Sequence, residues 1–206
     1  MDLSFSLPPF PPAHKPARLP TDRSRRYEAR LFEGRATDRL FFAALPDAAT
    51  AVRIADLACR LKIGHDLTGR LLRPEHFHVT LFHVGDRCGV ASGKVASFVE
   101  RASSVTMPAF KVAFDRVGSF KNGAFVLRGE EGTMGLEVLQ QRLSDALDAR
   151  VGRARPFTPH VTLLRDSHLV EEHDIQPVEW TVHEVVLVHS RLGRTEHRHL
   201  ARLPLG

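Results

Sequence analysis

The sequence predicts an α+β fold of antiparallel sheets with helices on one face, and three observations predict it. His-Val-Thr-Leu is spelled twice, from His78 and again 82 residues later from His160. Each copy follows an apolar run of strand length and then an amphipathic helical pattern, so strand, helix, His-Val-Thr-Leu strand occurs twice. The C-terminal region is rich in β-branched residues and broken by a glycine turn, as a closing hairpin requires.

The elements follow in order. Residues 1–35 hold Pro8, Pro9, Pro11, Pro12, Pro16 and Pro20, then Arg23, Arg25, Arg26, Arg30 and Arg35, without sustained periodicity. That composition is expected to form a flexible tail, a solvated extension before it is a basic arm for RNA phosphates. The domain proper is expected over 36–206. "RLFFAAL" (39–45) is the first strand, stopped by Pro46 and Asp47. Ala51, Ile54, Ala55, Ala58 and Leu61 then recur at spacings of three and four, one buried helical face ahead of Gly64. "HFHVTLF" (76–82) carries the first repeat. "SGKVASFVERA" (92–102) is a further helix with Ser92 as its cap candidate, and "FKVAFDRV" (110–117) alternates as a half-buried strand does.

"AFVLRG" (124–129) opens the second unit. Leu136, Leu139, Leu143 and Leu147 mark its helix, which Gly152 is expected to end before the second repeat strand. "EWTVHEVVLVHSRL" (179–192) reads as one strand, and "HRHLARLPL" (197–205) is expected to pair with it across Gly193.

Bulk properties limit the function. A chain of 206 residues with 43% hydrophobic content supports one substantial domain or two small lobes. No apolar run of about 18 residues exists to cross a bilayer as a helix, so no membrane association is expected. The N-terminal region lacks the basic-then-apolar order of a signal peptide, and Cys59 and Cys88 form no CxxC pair; a cytoplasmic location is expected. The net charge of +5 favours an anionic partner.

Period two gives each repeat a chemical face. His78 and Thr80 share one side of their strand while Val79 and Leu81 share the other, and His160 and Thr162 stand likewise against Val161 and Leu163. Two halves packed about a pseudo-twofold would bring two imidazoles and two hydroxyls into one cleft. One imidazole can take a proton while the other gives one, and threonine hydroxyls can donate to phosphate oxygens. A lone H-x-T is an ordinary strand face. Its recurrence after equivalent strand-helix units is what a core has no need for.

These residues resemble the 2H phosphoesterases, and within them the RNA 2′,3′-cyclic phosphodiesterases, also called 2′-5′ RNA ligases. "RLFFAALP" looks like the opening strand of that family, "RPEHFHVTL" its first motif, "RPFTPHVTLLR" its second, and "LVHSRLGRTEHRHLARLPL" its closing hairpin. The resemblance implies two lobes, each a small antiparallel sheet backed by helices, with the active site between them. It implies catalysis by His78 and His160, phosphate binding by Thr80 and Thr162, and substrate binding by Arg165. It implies no cofactor and no metal, with an RNA bearing a 2′,3′-cyclic phosphate end or a small cyclic nucleotide as partner. Arg165 also suits the role by its own chemistry, since a guanidinium grips phosphate oxygens bidentately.

The family commonly places an aromatic residue two positions after the first motif's leucine; here Leu81 is followed by Phe82 and then His83. His83 as a stacking or phosphate-donating group, Phe82 in a displaced role and a plain surface histidine all stay open. Phe42 and Phe157 are further candidate base platforms. Histidine-triad chemistry fails because Thr80 stands where its nucleophile is needed. A metal held by His76 with His78, or by His197 with His199, lacks a carboxylate or cysteine at ligand spacing. A module that binds RNA ends without turnover stays open, and a monomer is expected.

Overall fold

The computed structural model describes residues 36–90, 92–147, 157–194 and 196–206. The tail expected over 1–35 and the helix stop at Gly152 lie outside them. The described strands are β1 (Asp38–Ala44), β2 (Val79–Arg87), β3 (Phe110–Ser119), β4 (Ala124–Arg128), β5 (His160–Arg165), β6 (His173–Val182), β7 (Glu184–Arg191) and β8 (Glu196–Pro204). The helices are α1 (Ala48–Gly64), α2 (Ser92–Ala102) and α3 (Met134–Leu147).

Two four-stranded antiparallel sheets form, in the orders β2-β1-β7-β8 and β5-β4-β3-β6. The duplicated unit is visible as β1-α1-β2 in one sheet and β4-α3-β5 in the other, and each repeat strand takes an edge. The fold is α+β and two-lobed.

Local chemistry accounts for the helices. Asp47 caps α1 by accepting the Thr50 amide at 2.8 Å, satisfying a donor that the first turn leaves free. Ala51, Ile54 and Ala58 form its buried face, and Leu136, Leu139, Leu143 and Leu147 are all buried on α3. Ser92 is the first residue of α2 instead of a cap before it. One core takes residues from both halves, including Phe42, Ile54, Leu81, Phe114, Phe125, Leu139 and Leu163. Full burial of each such side chain contributes about 1.5–3 kcal/mol. The opposite face of the first sheet carries a smaller cluster, Phe41, Ala43, Val186 and Val188.

The run expected as one strand over 179–192 is two. His183 separates β6, which pairs with β3 in the second sheet, from β7, which pairs with β1 in the first. β-Branched composition reports extended backbone but not the sheet that receives it.

The duplication extends to an irregularity. In the first sheet Ala43 faces Thr80 and Phe42 faces Phe82, leaving Leu81 as the extra residue. In the second, Val126 faces Thr162 and Phe125 faces Leu164, leaving Leu163 extra. Each His-Val-Thr-Leu therefore ends in a bulge at its leucine. A bulge resets the side-chain alternation by one residue, so His83 and Arg165 occupy equivalent positions beyond it.

Candidate active site

Each histidine is set by the chain just before it. Pro74, Glu75 and His76 form a 3-10 turn, Phe77 is buried, and the backbone then extends into His78. The His78 Nδ1–H donates to the carbonyl of His76 at 2.7 Å. The second copy repeats the device, with His160 Nδ1–H donating to the carbonyl of Thr158 at 2.7 Å. A carbonyl only accepts, so Nδ1 carries the proton in both rings and Nε2 is the basic nitrogen of each neutral imidazole. His78, Thr80, His160 and Thr162 are half-buried, while Val79, Leu81, Val161 and Leu163 are buried, as period two requires.

The two rings share one electrostatic neighbourhood. Burial pushes the His78 imidazole below its ordinary value of 6.5, and the positive charge that His160 would carry pushes it further. Burial also lowers His160, with the guanidinium groups of Arg128 and Arg165 adding to the effect. Both are therefore neutral near pH 7. An arriving phosphate anion would raise both by favouring the charged form.

The surroundings differ between the lobes. Phe41 lies against the His78 ring at 4.9 Å between centroids, and His197 approaches it edge-on at 5.5 Å. His76 stacks at a tilt on His197 at 4.5 Å. Burial and the neighbouring imidazoles of His78, His76 and His199 hold His197 down to about 4. On the other side Phe120 meets His160 edge-on at 4.9 Å, and the Arg128 guanidinium lies 5.8 Å over the Phe120 ring. Arg128 faces His160 in the strand register and is paired with Glu172.

A loop joins the halves at the site. Asp166, next to Arg165, accepts the amides of Thr68 at 2.7 Å and Gly69 at 2.6 Å. The His168 amide, with those of Gly69 and Thr68, holds its carboxyl down to about 2. The Leu72 amide donates to the carbonyl of Leu163, the bulge residue, at 2.8 Å. The segment that leads into the first motif is thus fastened to the strand of the second.

Several expected residues fall elsewhere. Phe42 is fully buried in the main core and offers no face to a base, which corrects its expected role. Its strand neighbour Phe41 takes the opposite face, because adjacent strand residues point to opposite sides. Phe157 packs against the main core, as does Phe82. His83 is exposed and its Nε2 meets Asp86 at 2.9 Å, a carboxylate that also grips Arg39. Arg165 is exposed and close enough to His160 to lower it.

Phe41, Phe120, Arg128 and His197 stand at the site without having been read as site residues. Of these only His197 carried a sequence signal, as one of the paired histidines. Cys59 and Cys88 are both exposed. Among the described residues, no group of three or more His, Cys, Asp or Glu side chains is arranged to hold a metal ion, and no helix is long and apolar enough to cross a membrane.

The lowered histidines give a stability prediction. Their folded-state values lie below the unfolded 6.5, so between these limits the unfolded chain binds more protons. Their contribution is complete above pH 6.5 and is lost as pH falls from there toward the folded values, about 4 for His197. The urea midpoint should fall between about pH 7.5 and about pH 4.5, and His197→Phe should flatten that fall. Equal slopes in the two proteins would contradict it.

Known proteins share this fold. E. coli LigT in complex with 3′-AMP is similar at a TM-score of 0.64 and 26% identity, over 82% of this chain and 98% of that one. TT0787 of Thermus thermophilus shares the fold at a TM-score of 0.62 and 20% identity, over 81% of this chain and 97% of that one. The RNA 2′,3′-cyclic phosphodiesterase of Archaeoglobus fulgidus is 40% identical over 53 residues, which is 26% of this chain and 28% of that protein. With its paired motifs at the edges of two sheets, and with the family profile matching residues 45–194, the chain belongs to the 2′-5′ RNA ligase superfamily.

Proposed function

We propose that the protein hydrolyses a 2′,3′-cyclic phosphate at an RNA end, or on a small cyclic nucleotide, to a 2′-phosphomonoester. The observation that carries this reading is the matched pair of imidazoles, each tied through Nδ1 to the carbonyl two residues upstream, in one electrostatic neighbourhood. Water attacks phosphorus and gives a proton to one Nε2. The bond from phosphorus to the 3′-oxygen breaks, and the other imidazole protonates that oxygen. Thr80, Thr162 and Arg165 hold the non-bridging oxygens. The same steps with the 5′-hydroxyl of a second RNA end in place of water would join RNA ends through a 2′-5′ linkage, and their reversal would cleave that linkage.

We base the division of roles on the neighbours. One imidazole must be charged when the anion is bound, and mutual repulsion disfavours charging both. His160 faces Arg128 and Arg165, which oppose a cation there, whereas His78 is lined by Phe41 and the uncharged rings of His76 and His197. His78 is then the acid and His160 the base. This agrees with the roles the family resemblance suggests.

The test is incubation with adenosine 2′,3′-cyclic phosphate in EDTA, followed by product identification. Formation of adenosine 2′-phosphate is expected, because acid, base and phosphate donors are all protein groups. Saturable binding without product would favour an RNA-end binding module, and loss in EDTA with rescue by zinc would overturn the metal-free reading. Thr80→Ala and Thr162→Ala should each cost less than loss of a histidine, about tenfold in kcat/KM, since each removes one hydrogen bond and leaves proton transfer in place.

A further inference from the structure

A cavity of about 540 Å³ opens at the end of the first sheet, and the proposed reaction does not use it. Its walls include Leu45, Pro46, Pro74, Phe77, His199 and Arg202. That volume lies within the roughly 300–1,000 Å³ of pockets that take small organic ligands.

Two walls are continuous with the candidate active site. On β8, His197 and His199 face Ser190 and Val188 of β7 in an unbroken register, so they share one face. His197 touches His78, and His199 lines the cavity. Phe41 on β1 touches His78, and Leu45, the residue just after that strand, packs against the apolar cluster of Phe41 and lines the cavity. Four residue steps of extended chain lead from one to the other, about 13 Å at roughly 3.3 Å each. The 3-10 turn that carries His76 supplies a third wall through Pro74 and Phe77.

The lining also indicates what would enter. Asp47, Glu75 and Glu184 bring three carboxylates to the wall against one arginine, Arg202, which is itself paired with Glu184. A second phosphate is disfavoured there. A neutral, flat heterocycle with N–H donors is suited to it, between proline, leucine and phenylalanine surfaces with an imidazole and carboxylates as polar partners. We propose that this cavity is a subsite for the nucleoside on the 5′ side of the cyclic end, so that the enzyme distinguishes an RNA end from a free cyclic mononucleotide.

This inference rests on the reaction proposed above, and its test separates the two. The full-length protein is assayed with adenosine 2′,3′-cyclic phosphate and with the dinucleotide ApA ending in a 2′,3′-cyclic phosphate. The dinucleotide should be preferred about tenfold in kcat/KM, within the range that stacking of one base supplies. Ala48→Trp, from an exposed position at the cavity rim, and His199→Ala should each bring the preference toward unity while leaving mononucleotide turnover unchanged. A wild type without preference, or variants that keep it, would overturn the subsite. If the wild type turns over neither compound, the reaction fails and equilibrium binding decides the subsite. Tighter binding of ApA 2′-phosphate than of adenosine 2′-phosphate, lost in both variants, would support it, and equal binding would end it.

Discussion

Replacing either His78 or His160 by alanine should lower kcat on adenosine 2′,3′-cyclic phosphate by on the order of a hundredfold or more. In the proposed mechanism each ring serves one end of an in-line displacement, and among the described residues the ring against His160 is Phe120, which cannot carry a proton. His197 lies beside His78 at 5.5 Å, but it is held down to about 4 and is a poor proton carrier near neutrality. The double variant should be little slower than either single one, because removing one end of a concerted proton relay already removes its benefit. The pH profile supplies an independent readout. The active form of the free enzyme carries one proton between the two rings, and both are pushed below 6.5. The optimum of kcat/KM should therefore lie on the acid side of 6.5, with His160→Ala losing the acidic limb and His78→Ala the basic one. Near-normal turnover in the double variant would refute the mechanism. A clean 3′-phosphate product would leave the two-histidine chemistry standing and overturn only the choice of leaving oxygen.

The second large effect is expected at Gly69, which is remote from the reacting atoms. A Cβ at this position would lie 2.1 Å from the carbonyl oxygen of Arg165 and 3.0 Å from Leu164 Cδ1. The first contact is with backbone, so either the 65–73 loop or the end of β5 must move. Both carry parts of the site. The loop leads into His76 and His78, and β5 carries His160, Thr162 and Arg165. Gly69→Ala should cost about 1–3 kcal/mol of stability. It should also lower kcat by about tenfold or more, because displacements near 1 Å at a positioned pair are costly. Thermal denaturation and kcat measured on the same preparation check both. A Gly69→Ala protein of unchanged stability with full turnover would show that this loop does not set the spacing of the two motifs.

Much of the architecture was legible because its signals are local. Two strand-helix-strand units could be read from apolar spacing alone, since a helix face repeats every three or four residues and a strand face every two. The chemical pair was legible for the same reason: His78 with Thr80 and His160 with Thr162 needed only alternation to share a face. The leucines at 136, 139, 143 and 147 lie where their spacing places them.

What alternation could not supply begins at the bulges. The extra residues Leu81 and Leu163 reset the phase of both strands, so alternation counted from His78 and His160 does not carry through to His83 and Arg165. A bulge is decided by pairing with a neighbouring strand and leaves no mark in a run of apolar residues. Phe41 and Phe42 are adjacent and alike, and only the sheet's packing settled which faces His78 and which enters the core. The division of 179–192 at His183 between two sheets is likewise a matter of which partner strands are free. Arg128 beside His160, His197 beside His78, and Asp166 on the amides of Thr68 and Gly69 join residues 32 to 119 positions apart. The sequence by itself determined which groups could do the chemistry and on which side of their strands they stand. The environment of each imidazole, on which the proposed division into acid and base rests, was decided by long-range contacts that exist only once both sheets are folded.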